Sequence, residues 1–168
     1  IQTIIDLNEA VAGVERTLRS LLGSRTEIAI QLRPDACLVR ADTGQIHRLL
    51  INLVVNARDA TPDGGVVTVE TGAACDDALG APSKPMLLPR GDYITLSVRD
   101  TGAGMDEATR SHIFEPFFTT KPAGQGTGLG LWIVRDIMER SGGAIDVRST
   151  PGEGTEFVMY FPGPACEG

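Results

Sequence analysis

The stretch KPAGQGTGLGL, residues 121–131, places glycine at four alternate positions and leads into the helix-like run LGLWIVRDIMERSGG. Glycine loses more backbone freedom on folding than any other residue, so this cluster needs a physical reason. A dinucleotide fingerprint or a P-loop would supply one, but neither spacing is present. Two interpretations stay open: a flexible surface loop, or main-chain N–H groups at a helix start that hold phosphate oxygens. In the second, the amides belong to Gly126, Thr127, Gly128, Leu129, Gly130 and Leu131.

The composition is that of an ordinary globular domain, with 42% apolar and 22% charged residues in a chain of 168. This length predicts one domain over 1–168, with its core at about 26–162 and an N-terminal helix in 1–25. The net charge is −7 and the sequence has no basic run, which argues against a nucleic acid partner.

Signals for export, membrane insertion and disulfide formation are also missing from the sequence. No apolar stretch reaches transmembrane length and no signal peptide is visible, so we expect a soluble, cytoplasmic segment without direct membrane contact. The three cysteines have no CxxC spacing and are interpreted as incidental thiols. The chain starts at Ile1 rather than at Met, which indicates a piece of a longer protein, and the parent's membrane anchoring is left open.

Hydrophobic periodicity predicts helices and strands in alternation. A helix begins at Asp6, where Glu9 completes a capping-box pattern. Residues 26–32 alternate like a strand, and 37–40 are predicted as its short partner. The later elements are strands at 66–74 and 92–99 that pair with each other, an exposed loop at 76–91, a short helix at 106–113, a helix near 128–141 that stops at Gly142-Gly143, and strands at 144–150 and 155–162 joined by the turn PGEG. This order favours a sandwich of helices on one face of a mixed sheet.

The strongest predicted helix is ADTGQIHRLLINLVVNARDAT, residues 41–61. It begins with a second capping-box pattern, formed by Asp42 and Gln45. Its apolar residues recur at the spacing i, i+3, i+4 and i+7 and form one face: Ile46, Leu49, Leu50, Leu53, Val54 and Ala57.

The same helix carries a polar stripe of Asn52, Asn56 and Asp59 beside its apolar face. Polar groups enclosed by apolar surface are costly unless they have partners. Amide oxygens suit Mg²⁺, a cation that prefers oxygen ligands and commonly bridges to phosphates. The alternative is that these amides cap neighbouring backbone; two asparagines in register favour the functional interpretation.

Two further segments suit a ligand pocket. Asp100 ends a predicted strand and is followed by Gly102 and Gly104, so we expect its carboxylate to face an open backbone turn. A carboxylate only accepts hydrogen bonds, which suits the exocyclic amino group of adenine, although any such pattern is also found in plain turns. Thr155 follows a tight glycine turn. Either it supplies a hydroxyl to the same pocket, or it is an ordinary residue of a hairpin.

Taken in order, these segments resemble the catalytic ATP-binding domain of sensor histidine kinases, within the superfamily shared with gyrase, Hsp90 and MutL. NLVVNARDA is similar to the N box, DTGAGM to the first glycine box, FEPFFTTK to the F box, GQGTGLGL to the second glycine box and GEGTEF to the third. The similarity extends from about residue 40 to 161. It implies a Bergerat-type α/β sandwich, a mixed and roughly five-stranded sheet covered by three helices on one face.

The resemblance also implies roles for the site residues. Asn56 coordinates the Mg²⁺ that accompanies ATP or ADP, and Asp100 recognises adenine. The segment from Phe114 to Gly126 is the mobile lid, and Lys121 lies near the phosphates. Lys121 and Asn52 are the expected catalytic residues. The remaining nucleotide-binding positions are Asn52, Asp59, Gly102, Gly104, Met105, Gly126, Thr127, Gly128, Leu129, Gly130, Leu131 and Thr155.

One position separates the branches of this superfamily. Members that hydrolyse ATP carry a glutamate, a general base for water, four residues before the metal-binding asparagine. Here that position is Asn52, a neutral amide without useful basicity. Phosphoryl transfer to a histidine needs mainly positioning and charge neutralisation, so the sequence favours a histidine kinase over a gyrase-like ATPase.

The phosphoacceptor half of such a kinase is absent from the sequence. His47 and His112 match no acceptor motif and are expected to be ordinary helix residues. We therefore expect partners of two kinds: a dimerisation hairpin that carries the acceptor histidine, and a downstream response regulator. The cluster Phe114, Phe117 and Phe118 is either core or a surface for that hairpin, and the family favours docking for at least one ring. A nucleotide-binding pseudokinase and a serine-directed kinase of the anti-sigma type are the alternative functions.

Overall fold

The computed structural model describes residues 2–61, 64–75, 92–118 and 129–163. The predicted loop at 76–91 lies outside these ranges. The elements are, in chain order, β1 (Thr3–Asp6), α1 (Leu7–Leu22), β2 (Glu27–Gln31), β3 (Leu38–Ala41), α2 (Thr43–Ala60), β4 (Val66–Cys75), β5 (Asp92–Asp100), α3 (Glu107–Arg110), α4 (Gly130–Arg140), β6 (Ala144–Thr150) and β7 (Gly154–Pro162).

A mixed sheet of five strands forms one layer of the molecule, in the order β2-β4-β5-β7-β6. β2 and β4 run parallel, and every other neighbouring pair in this sheet is antiparallel. The pairing of β4 with β5 begins at Val67 opposite Asp100 and ends at Cys75 opposite Asp92. The predicted neighbours and the mixed five-stranded sheet are confirmed.

The second layer is built from α1, α2 and α4, with α2 in contact with both other helices and with the sheet. Asp42 caps α2, since its Oδ1 accepts a hydrogen bond from the Gln45 N–H at 3.1 Å. The predicted apolar face is confirmed: Ile46, Leu49, Leu50, Leu53, Val54 and Ala57 are all buried in the core. These side chains share a core cluster with Val67, Val98 and Phe157 from three strands. Burial of this one face is the main force that seats α2 on the sheet.

The N-terminal region differs from the prediction in its strand pairing. The segment 37–40 was expected to pair with 26–32, but β3 pairs antiparallel with β1, a strand that the periodicity did not indicate. The Asp6 carboxylate explains the pairing, because its Oδ1 accepts from Asn8 N–H at 2.9 Å and from Cys37 N–H at 3.0 Å. The cap of α1 is therefore shared with the start of β3, and the N–H of Glu9 is not its partner.

Two helix boundaries also shift. The predicted helix 106–113 is only Glu107–Arg110, capped by Asp106 and followed by turns. The predicted helix 128–141 runs from Gly130 to Arg140, and the glycine stop is confirmed by Gly142 at φ +74°. Within the described ranges, the helices are all too short or too polar to cross a bilayer.

Candidate functional site

Three polar residues form a row across adjacent strands at one end of the sheet. Asp100 lies opposite Thr155, and Thr155 lies opposite Ser149. Because side chains alternate along a strand, these three share the face of Val98 and Phe157, which pack beneath the helices. We call Asp100, Thr155 and Ser149 the acceptor row. The structure thus brings together Asp100 and Thr155, which the sequence analysis had singled out separately.

Asp100 is buried, with only 5% of its surface exposed. Its Oδ1 accepts a hydrogen bond from the Gly102 N–H at 2.8 Å. Burial raises the pKa of this carboxyl above its usual value, and the main-chain N–H groups of Gly102 and Thr155 offset only part of that rise. A buried acceptor with remaining lone pairs suits a ligand that brings hydrogen-bond donors.

The glycines around Asp100 are required by close approaches of the protein's own backbone. A Cβ on Gly102 would lie 2.3 Å from the carbonyl oxygen of Ala60, and one on Gly104 would lie 2.1 Å from that of Thr150. Gly104 also has φ +69°, a left-handed backbone conformation that glycine adopts without strain. The expectation that Asp100 faces an open turn is therefore wrong, because the turn is closed by backbone from α2 and β6.

Hydrogen bonds fasten this turn to the hairpin of β6 and β7. The N–H of Met105 donates to Ser149 Oγ at 2.8 Å, and the N–H of Gly152 donates to the Ala103 carbonyl at 2.7 Å. Sequence analysis missed Ser149; the signal available was its position opposite Thr155 across the predicted PGEG turn. Met105 is half-buried against the core, and its role at the edge of a nucleotide pocket stays a prediction.

The second part of the site is where α4 begins beside α2. A Cβ on Gly130 would lie 3.4 Å from Asn52 Oδ1 and 3.9 Å from Asn56 Nδ2. Asn52 Nδ2 donates to the Arg48 carbonyl at 3.0 Å, which is the backbone-capping alternative considered for these residues. Within the part of the chain that the structure describes, the Asn56 amide takes part in no hydrogen bond. Among the described residues, the Asn56 amide therefore lies at the start of α4 with no protein partner, and its metal-binding role stays a prediction.

The start of α4 carries no side-chain cap. Leu129 occupies the N-cap position with φ −105°, and the first turn holds no acidic residue. The main-chain N–H groups of a first helical turn have no partner within the helix, and the helix dipole favours an anion there. Leu131 is partly buried against the core, which holds this turn in place. The predicted phosphate ligands Lys121, Gly126, Thr127 and Gly128 lie outside the described residues.

Asp59, the third member of the polar stripe, has a partner already. Its Oδ1 lies 3.3 Å from Nη2 of Arg58. Arg58 also donates from Nη1 to the Leu21 carbonyl at 3.3 Å, so it ties the end of α2 to the end of α1. The structure therefore gives both residues a structural contact, and the nucleotide-binding role of Asp59 stays a prediction.

The three phenylalanines of the F box lie in three different environments. Phe114 packs edge-on against Phe157, with 6.3 Å between ring centroids. Phe118 lies against His112 at 5.8 Å. Phe117 is 74% exposed and has φ +68°, an uncommon conformation for a residue with a side chain. Phe114 and Phe118 are thus partly buried and packed against the core, and Phe117 is the ring that is presented outward.

Both histidines make local contacts outside this site. Nε2 of His47 lies 3.0 Å from the Ala10 carbonyl, so this ring joins α2 to α1. His112 pairs with Glu115 in the turns that follow α3. In the described ranges, no group of three His, Cys, Asp or Glu residues is arranged to hold a metal ion.

Comparison with known proteins identifies this arrangement. The family model described as histidine kinase-, DNA gyrase B- and HSP90-like ATPase matches residues 41–165. Sensor kinase CckA of Brucella abortus (strain 2308) is 41% identical over 160 residues, covering 95% of this chain and 17% of that protein. Sensor histidine kinase ZraS of Klebsiella oxytoca is 34% identical over 159 residues, covering 94% of this chain and 31% of that protein. The chain thus spans between 17% and 31% of the length of these relatives.

Solved structures agree with the sequence relatives. The catalytic domain of histidine kinase ThkA is 29% identical with a TM-score of 0.70, covering 96% of this chain and 95% of that one. Full-length ShkA, solved in complex with AMPPNP, is 28% identical with a TM-score of 0.74, covering 96% of this chain and 31% of that one. The family match spans most of the chain, and two relatives exceed 30% identity. The chain therefore belongs to the family of histidine kinase-, DNA gyrase B- and HSP90-like ATPases, as the catalytic ATP-binding domain of a sensor histidine kinase.

Proposed function

We propose that this domain binds ATP together with Mg²⁺ and transfers the γ-phosphoryl group to a histidine on a dimerisation hairpin. The observation that carries the proposal is the meeting of the first residue of α4, Gly130, with the asparagine stripe of α2. That contact sets the first turn of α4, which has no side-chain cap, beside the amide of Asn56. Anion-binding amides next to an oxygen ligand for a cation are what a metal-bound triphosphate requires.

The base would bind at the other end of the site, along the acceptor row. The carboxylate of Asp100 accepts from the exocyclic amino group of adenine, and its burial strengthens that hydrogen bond. Thr155 lies beside it as the cross-strand neighbour. Gly102, Gly104 and Met105 shape the edge of the pocket, because their backbone is held by α2 and β6.

The triphosphate would lie against the start of α4. The amides of Leu129, Gly130 and Leu131, with those predicted for Gly126, Thr127 and Gly128, donate to phosphate oxygens. Asn56 offers its amide oxygen to Mg²⁺, a ligand type that this ion accepts. When bound, Mg²⁺ supplies neutralisation of the charge on the phosphates. Lys121 adds a positive charge, and Asp59 is the predicted acidic neighbour of this region.

The chain's own contribution to phosphoryl transfer is to position the reacting groups and to provide no general base for hydrolysis of ATP by water. Asn52 stands where hydrolytic members of the family carry a basic carboxylate, and an amide does not take up a proton from water at neutral pH. The Asn52 side-chain nitrogen donates to the Arg48 carbonyl, and Asn52 Oδ1 therefore faces Gly130. We assign to Asn52 the positioning of the start of α4, where the phosphates would bind. The imidazole of an acceptor histidine is nucleophilic without a base, so alignment with the γ-phosphorus is sufficient.

The partners follow from the same proposal. The relatives are named as sensor kinases, and their greater length accommodates a dimerisation hairpin and other modules. We assign hairpin docking to Phe117, since its ring is exposed while Phe114 is partly buried against the core. The phosphorylated hairpin would then pass its phosphoryl group to a response regulator.

Calorimetry and phosphoryl transfer test the proposal together. The domain is titrated with ATP in Mg²⁺ and in EDTA, then mixed with a purified hairpin domain and radiolabelled ATP. We expect Mg²⁺-dependent binding and label on the hairpin histidine only when both proteins are present. Absence of nucleotide binding would refute the proposal. Binding without label would indicate a pseudokinase, and label on a serine of a small partner would indicate a serine-directed kinase.

A further inference from the structure

Ser149 completes the acceptor row, and its hydroxyl holds three groups at once. Its Oγ accepts from the Met105 N–H at 2.8 Å, donates to the Gly154 carbonyl at 3.1 Å and lies 2.8 Å from Thr155 Oγ1. The residue is half-buried and lies on β6, one strand beyond Thr155 and two beyond Asp100. Ser149 thus contacts both the edge of the base pocket and the hydroxyl within it.

The protons of this network can be counted. A serine hydroxyl has one proton to donate and two lone pairs to accept with. The Met105 N–H can only donate to it, and the Gly154 carbonyl can only accept from it. With the Ser149 proton directed to Gly154, the bond at 2.8 Å must be donated by Thr155. The proton of Thr155 is then committed to Ser149, and Thr155 keeps only lone pairs for the pocket.

We propose that Ser149 is a positioning residue that sets base specificity by fixing the direction of the Thr155 hydroxyl. This inference rests on the proposed function. Asp100 and Thr155, cross-strand neighbours on one face of the sheet, both then act as acceptors. Two adjacent acceptors match a 6-amino purine, whose exocyclic nitrogen carries two protons. They disfavour a 6-oxo purine, which would set a lone pair against each of them.

Removing the Ser149 hydroxyl releases Thr155. Its hydroxyl can then rotate and donate a proton into the pocket, as hydroxyl hydrogens do when no partner directs them. A 6-oxo purine gains a donor, whereas a 6-amino purine keeps an acceptor whose direction is no longer fixed, so the ratio of the two affinities falls. A purely structural role for Ser149 predicts something else, namely parallel losses for both purines together with lower stability.

The test compares ATP with inosine triphosphate, both with Mg²⁺, by calorimetry. We expect Ser149→Ala to lower the ratio of ATP affinity to inosine triphosphate affinity by about fivefold, the effect of one hydrogen bond. Ser149→Thr keeps the hydroxyl and should restore the ratio. Ser97→Ala is the matched control, because Ser97 is an equally half-buried strand serine on the opposite face of the sheet.

A double-mutant cycle makes the mechanism falsifiable. Thr155→Val should lower the ratio by itself, and adding Ser149→Ala to it should cause no further change, because Ser149 acts through Thr155. An unchanged ratio in either single variant, or additive effects in the double variant, would overturn the inference while ATP binding by the wild type upheld the proposed function. A wild type that fails to bind ATP would overturn both.

Discussion

The two ends of the candidate site are built in opposite ways. At the base end, around Asp100, each polar group is packed or hydrogen-bonded within the protein, and glycines are placed where another backbone occupies the Cβ position. At the phosphate end, the amide of Asn56 has no described hydrogen bond, and α4 starts without a side-chain cap. In the proposed function, the end at Asp100 is therefore formed before the nucleotide arrives, whereas the end at α4 offers groups that the nucleotide completes.

This difference shows that glycines in one site need different physical explanations. Gly104 and Gly154 are needed by the fold itself, since a Cβ on either would lie 2.1 Å from a carbonyl oxygen. Among the described residues, a Cβ on Gly130 would meet only side-chain atoms, the nearest at 3.4 Å, which is an ordinary van der Waals contact. In the proposed function, the lack of a side chain at Gly130 gives the phosphates access to the helix N–H groups. Substitution of these glycines at the base end should accordingly lower stability, whereas substitutions at the phosphate end should lower nucleotide affinity.

The largest effect is expected for Gly104→Ala at the base end. The new Cβ would overlap the Thr150 carbonyl, and the alanine would have to keep a positive φ. Together these two effects should lower the free energy of unfolding by about 3 kcal/mol. Gly152→Ala is the control, since Gly152 also has a positive φ but no neighbour within 4 Å, and should lower it by about 1 kcal/mol. Urea denaturation of both variants measures the difference. Equal losses would show that backbone packing is not what requires Gly104.

Next comes Asp100→Asn, which separates binding from folding. The new amide oxygen can still accept from the Gly102 N–H, but its NH₂ group faces the amino group of adenine with a donor. We expect ATP affinity to fall about 100-fold, the loss of a hydrogen bond to a charged acceptor. Calorimetry measures this affinity, and a loss below threefold would contradict the assignment of Asp100 to the base.

The same variant has a signed dependence on pH. Because the folded pKa of Asp100 is raised above its usual 3.8, the folded state holds the proton more tightly than the unfolded state. Wild-type stability therefore falls as the pH rises from near 3.8 through the folded pKa, and Asp100→Asn lacks this contribution. Denaturation of both proteins at several pH values measures this. The free energy of unfolding of the variant should increase relative to that of the wild type as the pH rises to neutrality. A relative loss would mean that burial does not control this carboxyl.

The smallest of the three effects is expected for Asn56→Ala at the phosphate end. Since Asn56 makes no described hydrogen bond, its loss should change stability by less than about 0.5 kcal/mol. ATP affinity should fall about tenfold in Mg²⁺, the contribution of one oxygen ligand, and stay unchanged in EDTA. Asn52→Ala is the control on the same stripe and should affect this metal dependence less, because the Asn52 amide already bonds to Arg48. Equal losses with and without Mg²⁺ would contradict a metal-ligand role for Asn56.

Local sequence patterns were sufficient to predict most of the helices and strands. The capping residue Asp42 and the apolar face of α2 were readable because helix periodicity and caps depend on residues within one or two turns. The pairing of β3 was not readable in this way, since it depends on the Asp6 carboxylate reaching Cys37 across thirty-one positions. Ser149 was missed for the same reason, because its importance comes from neighbours on other strands.

The sequence by itself determined the family, the boundaries of the long helix and the types of groups that the site contains. These follow from local spacing and from short motifs, which are properties of the chain before it folds. Only the tertiary structure decided which of those groups meet. Strand register aligned Asp100, Thr155 and Ser149 in one row, and the packing of α4 on α2 set Gly130 against Asn52 and Asn56. The physical reason is that burial of apolar faces fixes the relative position of distant segments, and no single segment encodes that position.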